Sequence, residues 1–228
     1  MSAVFVTATG TDIGKTYVTA GLIRHLRAQD KEVAALKPVV SGFSMETAAA
    51  SDPGVLLEAL DEPVSEDTVA RLSPWRFAAP LSPDMAAARE GAELSYDEIL
   101  AACRRAAAEA RGTLFIEGVG GVMVPLGARH MVLDWMADLG LPLLLVTGAY
   151  LGTISHTLTA LAALASRGLA PKALVVNDTG DGPVALAETA ETIARFAPSV
   201  PIATIPRNAA DADFDALAAL LELAALLD

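Results

Sequence analysis

Short apolar runs alternate with longer stretches of mixed character along the chain. The runs at 3–8 (AVFVTA), 33–36 (VAAL), 113–117 (TLFIE), 142–147 (PLLLVT), 173–177 (ALVVN) and 201–205 (PIATI) are almost unbroken in apolar character. That is the pattern of strands buried on both faces. Between them, apolar residues recur at helical spacing near 15–29, 95–111, 152–167, 183–196 and 211–227. Ser95-Tyr96-Asp97-Glu98 has the form of a capping box for the second of these helices. The alternation predicts βαβ units: an α/β fold with a mostly parallel sheet flanked by helices on both faces, as one domain over residues 1–228.

Residues 43–94 break this rhythm. They contain Pro53, Pro63, Pro74, Pro80 and Pro83, and their apolar content is patchy. The expectation is a helix near 52–60 followed by irregular segments over the C-terminal edge of the sheet, the edge that hosts ligands in open α/β folds.

Composition narrows the class. The hydrophobic content of 53% can fill a sizeable core, and the positive mean hydropathy of +0.45 comes mostly from Ala and Leu. The longest apolar stretch, 139–151, is too short for a membrane span and contains Gly and Pro. The N-terminus has no basic region or cleavage site and reads as a first strand, so a cytoplasmic location is expected. The single cysteine, Cys103, lies in the helical run AACRRAAAEA and is expected to pack; alone it makes no intramolecular disulfide and no cysteine-based zinc site. The formal net charge of −12 is spread out, with no basic face for nucleic acid. An anionic ligand must therefore be drawn by local features.

One local feature is suited to that. Residues 7–16, Thr-Ala-Thr-Gly-Thr-Asp-Ile-Gly-Lys-Thr, lie between a predicted strand and a predicted helix. That is the context of a phosphate-binding loop. Gly14 lets backbone approach a phosphate, Lys15 reaches β- and γ-phosphates, and the Thr16 hydroxyl suits Mg²⁺. The usual spacing would place glycine at position 9, where this chain has Thr9 beside Gly10. Partition-type ATPases carry a signature lysine five residues before the loop lysine, and here that position is Gly10.

Other residues support the loop. Lys37 ends the second predicted strand in LKPVVSGF, which also holds Ser41, and can add positive charge. Glu117 closes TLFIE at the position where an acid helps hold Mg²⁺; the alternative is a plain strand-end acid. Gly118, Gly120 and Gly121, which follow Glu117, leave room for substrate or γ-phosphate. Asp52 reads as a helix N-cap or as a group facing the metal. Asn177-Asp178 reads as a turn or as an amide at the adenine edge. His25, His130 and His156 are far apart in sequence, and His25 is expected on the exposed side of the first helix. No metal-ligand spacing and no G-x-S-x-G is present.

Taken in order, FVTATGTDIGKT, LKPVVSG, SDPG, LSPDMAA, FIEGVGGVMVPL, LGTISHT, VVND and PIATIPR resemble the dethiobiotin synthetase family over nearly the whole chain. The resemblance implies a P-loop NTPase fold and a homodimeric ligase using ATP, Mg²⁺ and CO2. Its substrate is 7,8-diaminopelargonic acid, and no organic prosthetic group takes part. A substrate amine and CO2 give a carbamate, its oxygen attacks the γ-phosphate, and the second amine closes the ureido ring and expels phosphate.

The family's site residues carry over to matching positions. Lys15, Lys37, Thr11 and Ser41 fall in the catalytic set. Thr16, Asp52 and Glu117 fall on the Mg²⁺ ligands, which gives Asp52 more than a cap. The nucleotide set comprises Asp12, Ile13, Gly14, Lys15, Thr16, Tyr17, Glu117, Asn177 and Pro206. Substrate positions are Lys37, Ser41, Gly118 and Gly121, with Leu151, Gly152, Thr153 and Ser155 at a helix start that docks the substrate carboxylate across the subunit interface. The sequence departs from the family pattern at Asp12 (usually Glu), Ser155 (commonly Asn) and Ala8 (often Gly). Other readings are a superfamily amidoligase, for which the chain is too short and Cys103 misplaced, and a partition-type nucleotide switch, which Gly10 and an acidic last helix oppose.

Overall fold

The structure, a computed structural model, describes residues 2–180 and 182–223. Eight strands and nine α-helices run through these residues in the order β1 (Ser2–Ala8), α1 (Lys15–Arg27), β2 (Val33–Leu36), β3 (Val39–Ser41), α2 (Asp52–Ala59), α3 (Glu66–Leu72), β4 (Trp75–Phe77), α4 (Pro83–Arg89), α5 (Tyr96–Glu109), β5 (Thr113–Glu117), α6 (Val132–Leu139), β6 (Leu143–Gly148), α7 (Thr153–Ala165), β7 (Pro171–Asn177), α8 (Leu186–Phe196), β8 (Ile202–Ile205) and α9 (Asp211–Leu220). The main sheet is parallel, in the order β2-β5-β1-β6-β7-β8.

Strand alternation explains the unbroken apolar runs. In β1, Val4, Val6 and Ala8 point into one layer and Phe5 into the other. The first layer is closed by α1, α2, α3 and α9 through residues such as Leu22, Leu56, Leu72 and Leu217. The second is closed by α4 to α8, with the Phe5 ring edge-on to Trp135 at 4.8 Å. Each inner strand thus buries apolar side chains on both faces. The chain winds from β1 to one side of the sheet, returns to β5, then crosses to β6 on the other side. The loop leaving β1 therefore sits at the switch point, where open α/β sheets bind ligands.

All six predicted main-sheet strands are present, and several elements correct the sequence reading. Residues 43–94 contain the expected helix, α2, but between irregular stretches they also hold a 3₁₀ turn at Met45–Ala50, α3, β4 and α4. Strand β4 pairs in parallel with β3 as a separate two-stranded sheet. Pro53 and Pro83 stand in the first turns of α2 and α4, where a missing N–H costs nothing. Helix α6 was not expected; its eight residues carry no Ser or Thr cap. At α5 the Glu98 N–H donates to Ser95 Oγ (3.3 Å), one half of the predicted box. The helix expected at 183–196 begins at Leu186, and of the helix expected at 211–227, residues 224–227 lie outside the described residues. His25 is buried rather than exposed, packed where α9 covers α1. Cys103 is buried, and burial pushes its thiol up to about 12. No helix among the described residues is long and apolar enough to cross a membrane.

Candidate active site

The phosphate loop spans the gap between the end of β1 and the start of α1. Gly14 precedes α1 with φ 97°, a left-handed conformation that favours glycine. Space makes the same demand: a Cβ there would lie 2.2 Å from Asn177 Nδ2. The first turn of α1, with its unpaired N–H groups and the positive end of its dipole, borders a cleft of about 490 Å³. Thr11, Asp12, Gly14, Lys15, Thr16, Lys37, Ser41 and Asp52 all line that cleft. Sequence-predicted residues from three separate stretches of the chain, 11–16, 37–41 and 52, thus converge at the end of β1, and Asp12 itself takes a left-handed φ of 57°.

Two lysines enter the cleft in different electrostatic settings. Lys15 Nζ donates to the carbonyls of Gly120 (2.9 Å) and Gly10 (3.3 Å) and touches no carboxylate at bonding distance. Burial, helped by the charge of Lys37, holds its ammonium down at about 8. Lys37 Nζ lies 2.7 Å from Glu117 Oε1, 2.9 Å from Asp52 Oδ2 and 3.2 Å from the Gly118 carbonyl. Burial on its own would lower this ammonium too. Glu117 and Asp52 together outweigh it and raise Lys37 to about 12. The same ammonium outweighs the effect of burial on Asp52 and holds that carboxyl below its ordinary value.

The Asp52 question has a structural answer. Ser51 caps α2, accepting the Gly54 N–H on its hydroxyl (3.4 Å), and Asp52 in the first turn reaches Lys37 instead. Thr16 Oγ1 donates to Glu117 Oε1 (2.7 Å). Glu117 Oε2 is buried with no hydrogen-bond partner. Two carboxylates and a hydroxyl, one oxygen of them orphaned, fit Mg²⁺, a hard cation that takes one or two carboxylates and completes its shell with water and phosphate oxygens. Among the described residues no cluster of three or more His, Cys, Asp or Glu gathers to hold an ion without such help.

A second group of residues meets on the far side of Gly14. Asn177, the last residue of β7, donates from Nδ2 to the Ile13 carbonyl (2.9 Å), while its buried Oδ1 has no partner. The amide is thereby oriented with a free acceptor. Tyr17, in the first turn of α1, hydrogen-bonds through its hydroxyl to the carbonyl of Arg207 (2.9 Å), with Pro206 O at 3.4 Å. The Pro206 segment therefore lies beside the loop.

Leu151, Gly152, Thr153 and Ser155 stand apart. They line a separate apolar groove with α8, and Leu151 is 87% exposed. Within one chain they do not face Lys15 and Lys37. Gly121 lines a third hollow that begins at Thr9 and Gly10 and reaches Tyr150 and His156. The Gly118 carbonyl accepts from Lys37, and the Gly120 carbonyl accepts from Lys15. A chain of hydroxyls was also missed. Thr9 meets Thr147 (3.1 Å), which meets Thr153 (2.9 Å) and Thr157 (2.8 Å). It connects the phosphate loop to the start of α7. Threonines four apart in α7, opposite a threonine near the end of β6, are its only trace in the sequence.

Known proteins bear on this arrangement. A family described as an AAA domain matches residues 2–211. The ATP-dependent dethiobiotin synthetase BioD of Acidiphilium cryptum (strain JF-5) is 49% identical over 202 residues, 88% of this chain and 91% of that protein. Its counterpart in Methylobacterium nodulans (strain LMG 21967 / CNCM I-2342 / ORS 2060) is 52% identical over 86% of this chain and 90% of its own. Among solved structures, the MinC:MinD cell division protein complex of Aquifex aeolicus aligns with a TM-score of 0.57 at 11% identity, over 99% of this chain and 94% of that one. A ParA family ATPase from Chlorobium tepidum TLS aligns at 0.52 and 16% identity, over 100% and 95%. At that level of identity the likeness is one of fold.

Proposed function

The chain belongs to the ATP-dependent dethiobiotin synthetase family, ligases of biotin biosynthesis, and on that premise we propose that its cleft joins CO2 to 7,8-diaminopelargonic acid and closes the ureido ring with ATP. The observation that carries this reading is the pair of buried lysines, Lys15 and Lys37, bordering one cleft beside the first turn of α1. A carbamate oxygen and a γ-phosphate repel each other, so bringing them together chiefly requires fixed positive charge and aligned donors.

The sequence of bonds is as follows. One substrate amine forms a C–N bond to CO2 and loses a proton, giving a carbamate. A carbamate oxygen attacks the γ-phosphorus as the bond to the β-phosphate oxygen breaks, and ADP leaves. The second amine attacks the activated carbonyl, the ring closes and phosphate departs. Lys15, with the N–H groups around Gly14, holds the β- and γ-phosphates. Lys37 neutralises the carbamate and the oxygen passing to phosphorus. Thr11 and Ser41, both lining the cleft, donate hydrogen bonds to the same groups. Gly118 and Gly121 flank Gly120, which lines the cleft, and let this segment pack closely on β1 and the phosphate loop. Thr16, Asp52 and Glu117 hold Mg²⁺, which when bound neutralises charge on the phosphate oxygens.

Asn177 offers its unpartnered Oδ1 to the exocyclic amine of adenine, next to the Pro206 segment. Asp12, with a shorter side chain than glutamate, contributes through the loop backbone beside Ile13. Leu151, Gly152, Thr153 and Ser155 sit at the start of α7 and bind the substrate carboxylate of a second subunit through backbone N–H groups. The working form is thus a homodimer in the cytoplasm. Incubation with ATP, Mg²⁺, bicarbonate and the diamine, followed by mass analysis, tests the reading. Dethiobiotin is expected, with ADP release that depends on the diamine. ATP hydrolysis indifferent to the diamine contradicts it.

A further inference from the structure

Tyr17, Gly21 and His25 are spaced four apart on α1 and form a single stripe along it. Each of the three meets the stretch from 206 to 215. The Tyr17 hydroxyl donates to the Arg207 carbonyl (2.9 Å) and accepts from the Ala209 N–H (3.1 Å). At Gly21 a Cβ would fall 2.0 Å from Phe214 Cζ, so the absent side chain is the seat of that ring. His25 is buried, with Nδ1 3.0 Å from Asp211 Oδ1 and Nε2 3.3 Å from Asp215 Oδ1, and the Gln29 amide also lies against Nε2. The stretch 206–215 is thereby tied to α1 at three points, through residues 206–209 and through the first residues of α9.

The segment held this way borders the base end of the nucleotide site. Ile205, which precedes it, pairs with Asn177 across β7 and β8. The Arg207 guanidinium donates to the Thr179 carbonyl (3.0 Å), joining the segment to the loop after Asn177. Residues 206–210 have no regular structure. Their backbone is therefore placed by these side-chain ties, and the Tyr17 hydroxyl supplies two of them at once.

We propose that the Tyr17–Gly21–His25 stripe is a positioning device for base recognition, with Tyr17 a specificity-determining residue that acts through the backbone of 206–209. The inference rests on the reading of this cleft as an ATP site. A site built to hydrogen-bond one base edge rejects another base only while its own groups are held in register. The stripe supplies that register from the helix that also carries Lys15 and Thr16, so the base wall and the phosphate site share one rigid element.

The test is Tyr17→Phe in the full-length protein, which keeps the ring and removes the hydroxyl. Steady-state titrations with ATP and with GTP, each with diamine and bicarbonate, give kcat and KM separately. The KM for ATP is expected to rise roughly three- to tenfold, the loss of a hydrogen-bonded tie, and kcat to fall by less than about twofold on the same grounds. The ATP-over-GTP ratio of kcat/KM shrinks because the GTP value changes little. Gly21→Ala, which displaces Phe214, is expected to move the same two quantities in the same direction. A lowered Tm in Tyr17→Phe with the ATP KM and the ATP/GTP ratio at their wild-type values overturns the proposal, because that is a structural role alone. Wild-type protein that fails to bind a fluorescent ADP analogue overturns the nucleotide-site reading, and with it the inference, and is distinguishable from the first failure.

Discussion

Lys37 Nζ and Glu117 Oε1 are 2.7 Å apart, and both side chains are buried at the end of adjacent strands β2 and β5. The ammonium meets the two carboxylates, of Glu117 and Asp52, that together with the Thr16 hydroxyl suit a divalent cation. Lys37→Met leaves two carboxylates facing each other without a cation. Breaking a buried pair from one side costs about 3–5 kcal/mol, so the variant is expected to melt well below wild type in chelator. Mg²⁺ is expected to raise its Tm more than it raises that of the wild type, while turnover falls by orders of magnitude. Melting curves with and without Mg²⁺ check this, and an equal response in both proteins contradicts it.

Lys15 has the opposite character. Its folded pKa, about 8, lies below the ordinary 10.5 because of burial and of Lys37. The charged form therefore costs stability at every pH below about 8, and the cost fades as pH rises from there toward the ordinary value. Lys15→Met removes a cost on the order of 3 kcal/mol at neutral pH. Its Tm is expected to rise by several degrees, with the gap from wild type narrowing above pH 8, while ATP binding is lost. A variant less stable than wild type at pH 7 contradicts the account.

Gly14 is held to glycine twice over, by its φ of 97° and by the Asn177 amide. Gly14→Ala is expected to weaken ATP binding by about a hundredfold or more, as the loop gives way to relieve strain. Adding Asn177→Ala removes the clash but not the backbone cost, so the double variant is expected to bind ATP more weakly than Asn177→Ala alone, which already lacks the adenine contact. Calorimetric titration of all three variants with ATP measures this, and equal affinity of the double variant and Asn177→Ala contradicts the backbone argument.

The groove at the start of α7 does not share a cleft with Lys37 within one chain. If each site draws on both subunits of a dimer, two inactive variants complement each other. Ser155→Pro removes one first-turn N–H at a position where proline is tolerated, and Lys37→Met removes the charge. Equal mixing of the two is expected to restore about a quarter of wild-type activity by subunit exchange in a two-fold dimer. No recovery under conditions where exchange is shown contradicts a shared site.

Much of this was legible in the sequence, for identifiable reasons. Inner strands such as TLFIE and PLLLVT are buried on both faces, so composition alone marks them. The strand–loop–helix order around Gly14, Lys15 and Thr16 locates the cleft. Local patterns failed where tertiary contacts decide. Pro83 lies in a stretch that reads as irregular but starts a helix. The α6 helix is too short to declare its period. His25 read as exposed because the acids that bury it, Asp211 and Asp215, lie far along the chain. Lys37 was legible as a lysine at a strand end, and the resemblance put Asp52 and Glu117 in the same site, but that the lysine pairs directly with both carboxylates, from α2 and β5, is displayed only by the folded chain.

On the proposed reaction, a carbamate oxygen attacks the γ-phosphate in the cleft between Lys15 and Lys37. Rapid mixing of the protein, ATP, Mg²⁺ and the diamine with CO2 labelled with heavy oxygen, in unlabelled water and quenched before the label exchanges, tests it directly. Mass analysis of the released phosphate is expected to find heavy oxygen carried from CO2, in step with dethiobiotin formed. Phosphate whose new oxygen comes only from water contradicts the account.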